Sequence, residues 1–149
     1  EEADMPITKA YASWKGSLKE GKGVMKVASG AYSGPFSFAS RFGAGAGPDT
    51  GTNPEELLAA AHAGCFSMAL SGRLADAGHV ADSIDTTASV TMERVDGAQT
   101  ISKSHLVTKV KVAGMDDATF QGHVRAAAES CPVSRALAGV AITVEATLA

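Results

Sequence analysis

The segment from Thr52 to Gly78 constrains this chain more than any other. Thr52 or Asn53 suits the cap of a helix, and Pro54 suits its first position, where a missing N–H costs nothing. Glu55 and Glu56 complement the positive end of the helix dipole, and Gly78 offers a stop. Between these signals run Leu57, Leu58, Ala61, Cys65, Met68, Ala69 and Leu74, apolar over most of the circumference. A helix of that kind is buried on several sides. In a chain of 149 residues it predicts a long central helix, with a subunit interface as one way to cover it.

The flanking segments read differently. Residues 8–15, 22–28 and 35–42 are short and glycine-bounded, and they predict three antiparallel strands turned at Gly21–Gly23 and Ser33–Gly34. The loop Gly43–Gly51 has neither a Walker lysine nor dinucleotide spacing, so a hinge or a close backbone approach is a better reading than a phosphate cradle. Residues 83–95 and 100–112 predict a hairpin about Asp96–Gly97. Ile84, Thr86, Ala88, Val90 and Met92 share one face of its first strand, and Leu106, Thr108, Val110 and Val112 one face of its second. A second helix starts near Asp116 or Asp117 and runs through Phe120, Val124, Ala127 and Ala128. A short helix follows at 132–138, and Val140, Ile142, Val144, Ala146 and Leu148 alternate into a last strand. This order argues for an α+β fold rather than a parallel sheet, and with no linker or repeat, residues 1–149 read as a single domain.

Composition excludes several classes. A net charge of −3 with scattered lysines offers no phosphate-neutralising surface, so nucleic acid is not the expected partner. The longest apolar run, 57–70, falls short of the roughly 20 residues of a membrane span and is interrupted by His62 and Ser67. The opening residues are acidic and show no signal peptide. With two cysteines and no export signal, the expectation is a cytoplasmic protein carrying reduced thiols.

Those two cysteines are the candidate chemistry. Cys65 lies three turns into the long helix and gains nothing from its dipole, whereas Cys131 precedes Pro132 at the start of a helix, where N–H groups favour a thiolate. Local physics therefore nominates Cys131 as the reactive sulfur. The plainer reading of each is a small buried hydrophobe. His62, three residues before Cys65, shares its helical face and suggests a Cys–His pair or half of a metal site. No C-x-x-C or H-x-x-x-H supports a metal, and no G-x-S-x-G supports a serine hydrolase, so neither a metal nor a cofactor is expected.

The run T52-N-P-E-E-L-L-A-A-A-H-A-G-C65-F-S-M-A-L70, followed by S83-I-D-T-T87 and C131-P-V-S134, resembles the OsmC branch of the OsmC/Ohr family. The similarity extends to W14-K-G16 and R41-F42 and so covers essentially the whole chain. The resemblance implies an interleaved homodimer with antiparallel sheets around the long helix, acting as a thiol peroxidase on organic hydroperoxides in oxidative or osmotic stress. Carried across residue by residue, it makes Cys65 the peroxidatic cysteine, Cys131 the resolving one, Arg41 the activating cation and Glu55 its orienting carboxylate. That reverses the dipole-based ranking of the sulfurs. It also implies a Cys65–Cys131 disulfide recycled by a dithiol, of lipoyl type or another small kind.

Glu55 and Cys65 stand ten residues apart, about 15 Å along a straight helix, too far for a glutamate to bridge. Either Arg41 reaches between them or the acting Glu55 comes from the other subunit, and a composite site across the dimer is the favoured reading. The rival from another class is a non-catalytic stress-induced binding protein with an apolar pocket, which would form no peroxide-dependent disulfide.

Overall fold

A computed structural model describes residues 5–149; the acidic Glu1 and Glu2 used in the signal-peptide reading lie outside the described residues. The chain divides into two compact units, Glu1–Glu56 and Leu57–Ala149, each with its own three-stranded sheet.

The first unit holds strands β1 (Ala10–Lys15), β2 (Lys22–Val27) and β3 (Ser33–Phe36), antiparallel in the order β1-β2-β3. The expected turns fall elsewhere: Leu18–Glu20 joins the first pair, and the chain reverses again at residues 28–31, ahead of Ser33–Gly34. The expected strand at 35–42 is also corrected. It ends at Phe36, and Phe38–Phe42 form a short helix, α1. Ser37 and Ser40 explain the switch, because each side chain accepts from the other's backbone N–H and so caps a helical turn. Phe38 and Phe42 then lie on one helical face, their rings tilted against each other with centroids 5.2 Å apart.

The glycine loop resolves as a close backbone approach. Gly47 and Gly51 exchange two backbone hydrogen bonds of 2.9 Å, and Thr52 donates to the Pro35 carbonyl at 2.8 Å. Gly51 has φ +97°, and a side chain there would collide with that carbonyl.

Helix α2 (Pro54–Asp76) begins where the sequence predicts, with Asn53 Oδ1 accepting the Glu56 N–H at 2.8 Å. It ends in a Schellman pair, His79 N–H to Leu74 and Gly78 N–H to Ala75. Its burial is narrower than expected. His62, Phe66, Leu70 and Leu74, spaced four apart, are fully buried, while Met68 is 78% exposed in the single chain.

The second unit carries most of α2 with β4 (Ser83–Val95), β5 (Ala98–Lys111), α3 (Asp117–Ser130), α4 (Pro132–Ala136) and β6 (Ala141–Leu148). The β4–β5 hairpin turns on Asp96 (φ 50°) and Gly97 (φ 82°), the left-handed pair of a two-residue turn. The expectation of antiparallel sheets holds for this pair but not for β6, which runs parallel to β5. The connection through α3 and α4 is a crossover, and only such a connection returns a strand in the same direction. Phe66, Leu70 and Leu74 pack with Leu106, Val110, Phe120, Val124, Ala127 and Cys131 in one buried cluster. Each large side chain in it contributes about 1.5–3 kcal/mol. The class is α+β. Among the described residues no helix is long and apolar enough to cross a membrane.

Candidate functional site

The two cysteines meet in the second unit. Both are free thiols, Cys131 fully buried and Cys65 partly so. Helix α3 delivers Cys131 by ending on it, with its N–H bonded to Ala127 at 2.9 Å, and α4 starts immediately beyond. Helix α2 presents Cys65, and the two thiols, 66 positions apart in sequence, come close enough for each to shift the other's pKa.

Their environments differ in sign. Burial pushes the Cys65 thiol up, and the bond to Cys131 adds to this, with the Val133 N–H opposing. Burial also raises Cys131, but its hydrogen bonds outweigh that and hold it below the ordinary cysteine value. They come from the Cys65 thiol, the Ser134 N–H and hydroxyl, and the Val133 N–H. Cys131 makes no full capping bond to α4, yet it feels these donors. The groups around the pair thus favour the thiolate on Cys131 over one on Cys65.

Arg41 and Glu55 meet in the first unit. Arg41 Nε donates to both Glu55 oxygens at 3.1 and 3.3 Å, and a terminal nitrogen reaches Oε1 at 2.7 Å. The pair is asymmetrically exposed, with the Arg41 side chain 37% accessible and that of Glu55 10%. The local fold sets it up: α1 aims Arg41, the Asn53 amide ties the start of α2 to the Ser40 carbonyl at 2.7 Å, and Glu55 occupies the first turn of α2. A fork gripping a carboxylate in this way has a fixed orientation. The Arg41 guanidinium also stands 5.2 Å from the Phe42 ring.

Sequence reasoning missed two serines. His62 is fully buried with both ring nitrogens engaged, Nδ1 with Ser104 Oγ at 2.6 Å and Nε2 with Ser134 Oγ at 2.8 Å. Neither nitrogen is left for Cys65 or a metal, so the Cys–His reading of this face does not hold. Burial lowers the His62 pKa and keeps the ring neutral. A signal existed: Ser104 has the strand parity of Leu106 and Val110, and a hydroxyl on a core-facing position requires a partner.

Comparison with known proteins bears on the whole arrangement. The model of the family described as OsmC-like protein matches residues 47–146, a span that includes Glu55, Cys65 and Cys131. Peroxiredoxin OsmC of Escherichia coli (strain K12) is 46% identical over 130 residues, covering 87% of this chain and 88% of that protein. Among solved structures, an OsmC-like protein of unknown function from Vibrio cholerae O1 superposes with a TM-score of 0.76 at 16% identity, covering 96% of this chain and all of its own. The organic hydroperoxide resistance protein OhrB of Bacillus subtilis superposes with a TM-score of 0.66 at 25% identity, covering 93% of this chain and 98% of that one. Close identity along nearly nine-tenths of the chain and a matching fold converge: the chain belongs to the OsmC family.

Proposed function

We propose that this protein is a cysteine-dependent peroxidase that reduces organic hydroperoxides to alcohols in stress defence. The observation that carries this reading is the neighbouring pair of free thiols, Cys65 and Cys131. Similarity to a protein named as a peroxiredoxin and to one named for organic hydroperoxide resistance supports the reaction and the substrate class.

In this reading the Cys65 thiolate attacks the distal peroxide oxygen. The O–O bond breaks, the alkoxide leaves as the alcohol after taking a proton, and Cys65 becomes a sulfenic acid. Cys131 attacks that sulfur, a disulfide forms, and the hydroxyl departs as water. A dithiol, lipoyl-like or another small one, then reduces the disulfide and is itself oxidised to a disulfide. Arg41 is the cation that lowers the Cys65 pKa and meets the charge developing on the peroxide, with Glu55 fixing its fork. The apolar side chains beside Cys65 favour bulky apolar peroxides over hydrogen peroxide. We place the protein in the cytoplasm as a homodimer, with residues 1–149 acting as one functional domain.

The test follows cumene hydroperoxide consumption by wild type, Cys65→Ser and Cys131→Ser, with a dithiol and then a monothiol reductant. The expected result is no turnover in Cys65→Ser and a peroxide-dependent disulfide in wild type. If Cys131→Ser is the dead variant instead, the roles of the sulfurs are reversed. No disulfide and no turnover in wild type would leave the binding-protein reading standing.

A further inference from the structure

The buried His62–Ser104–Ser134 chain takes no part in the chemistry above, although it ends beside one of the two sulfurs. Three side chains lie in series, Ser104, His62 and Ser134, and Ser134 stands in the first turn of α4, three residues beyond Cys131, whose pKa it helps to lower. They come from β5, α2 and the start of α4, so the arrangement is built by the fold and not by neighbours in sequence. His62 and Ser104 are wholly inaccessible and Ser134 nearly so, which strengthens the hydrogen bonds among them.

A neutral imidazole carries one proton, so the chain has two arrangements. With the proton on Nδ1, the ring donates to Ser104, Nε2 becomes an acceptor, and the Ser134 proton is drawn toward the ring. With the proton on Nε2, the ring donates to Ser134, Nδ1 accepts from Ser104, and the Ser134 proton is free for the sulfur. Only the second arrangement satisfies every member and points a donor at Cys131 when it is a thiolate.

We propose that His62 is a positioning residue for Cys131: held as its Nε2–H tautomer by Ser104, it turns the Ser134 hydroxyl proton onto the resolving sulfur. No proton leaves the chain in this role, and the relay acts by orientation alone. The proposal rests on the peroxidase reading only in calling Cys131 the resolving sulfur. Among the described residues, Cys65 is the titratable group acting on Cys131.

The experiment measures the pH dependence of Cys131 alkylation by iodoacetamide in a Cys65→Ser background, where Cys131 is the sole thiol and position 65 keeps a hydroxyl. Ser134→Ala is expected to move the Cys131 midpoint upward and slow alkylation near neutral pH about tenfold, the scale of one lost hydrogen bond to a charged group. Ser134→Thr, which keeps the hydroxyl, should retain the wild-type midpoint. His62→Gln, whose amide nitrogen replaces Nε2 as donor, should retain it as well, and His62→Leu should not. Nitrogen NMR of the unsubstituted protein should place the His62 proton on Nε2.

An unmoved midpoint in Ser134→Ala overturns the proposal, as does an equal shift in His62→Gln and His62→Leu or a proton on Nδ1. If His62→Leu fails to fold, the Ser134 pair and the NMR measurement decide alone. None of these readouts needs peroxide. Failure of the peroxidase reading would appear instead as wild type forming no disulfide with cumene hydroperoxide, whatever the Cys131 midpoint.

Discussion

Cys65 and Cys131 act on each other's ionisation: burial and then Cys131 push Cys65 up, whereas the hydrogen-bonding groups around Cys131 outweigh its burial and hold it down. This polarity suits a resolving cysteine waiting as a good nucleophile. It runs against a peroxidatic cysteine, which must itself be a thiolate when peroxide arrives. The proposed mechanism therefore needs a cation at Cys65, and Arg41 is the candidate.

That requirement makes Arg41 testable through thiol titration as well as turnover. In a Cys131→Ser background, the Cys65 titration midpoint is expected to be lower with Arg41 present than in Arg41→Ala. Turnover of cumene hydroperoxide should fall roughly 100- to 1,000-fold in Arg41→Ala, the scale for removing one preorganised donor at a developing charge. Glu55→Gln should fall less, about tenfold, because the charge remains while the fork loses part of its grip. A Cys65 midpoint indifferent to Arg41 would remove the cation from the mechanism.

Stoichiometry offers a separate check. One equivalent of cumene hydroperoxide should consume both thiols of wild type and yield one intramolecular disulfide. Cys131→Ser should lose its single thiol to a sulfenic acid that traps with dimedone, and Cys65→Ser should keep its thiol. Dimedone labelling of Cys131 in Cys65→Ser at a rate matching wild type would reverse the assignment of roles.

The parts of the fold legible in the sequence are those encoded locally. Asn53-Pro54 and Gly78 bound α2, Asp96–Gly97 turns the hairpin, and Asp116 caps α3 by accepting the Thr119 N–H at 2.8 Å. Each signal needs only the residues within one turn. Helix α1 reads as strand because Phe36 and Phe38 alternate, while the Ser37–Ser40 box, only four residues long, decides the outcome. The parallel pairing of β6 with β5 is set by a crossover, which no local pattern reveals. The site divides in the same way. Cys65, Cys131, Arg41 and Glu55 stand in recognisable motifs, but Ser104 and Ser134 lie 42 and 72 positions from His62. Only strand parity hinted at one of them.

The neutral, buried His62 predicts an acid-sensitive fold. Its folded pKa lies below the ordinary value of about 6.5, so under acid conditions the unfolded chain binds a proton that the folded one refuses. Stability should be level above about pH 6.5 and fall as pH drops from there toward the folded pKa. Asp116, held down mainly by the Thr119 N–H, adds its own loss only below about pH 3.9. Urea midpoints measured from about pH 8 to pH 5 should decline in wild type and stay flatter in His62→Gln. An equal decline in both would assign the acid sensitivity elsewhere.

The exposed apolar surface bears on the proposed homodimer. Met68 is 78% exposed on a helix that the sequence marks as apolar nearly all round, and Tyr11 (53%) and Val24 (44%) are uncovered in the first unit. Every residue of β1 is exposed in the single chain. A second copy covering these groups would remove them from water and supply the missing burial of α2. Sedimentation velocity should then give a dimer for wild type and a shift toward monomer for Met68→Lys, because a lysine enclosed at that position is left without a partner. The far-ultraviolet circular dichroism of the variant should be unchanged, since Met68 makes no part of the buried cluster. A monomeric wild type, or a Met68→Lys dimer of undiminished affinity, would leave this face of α2 outside any interface.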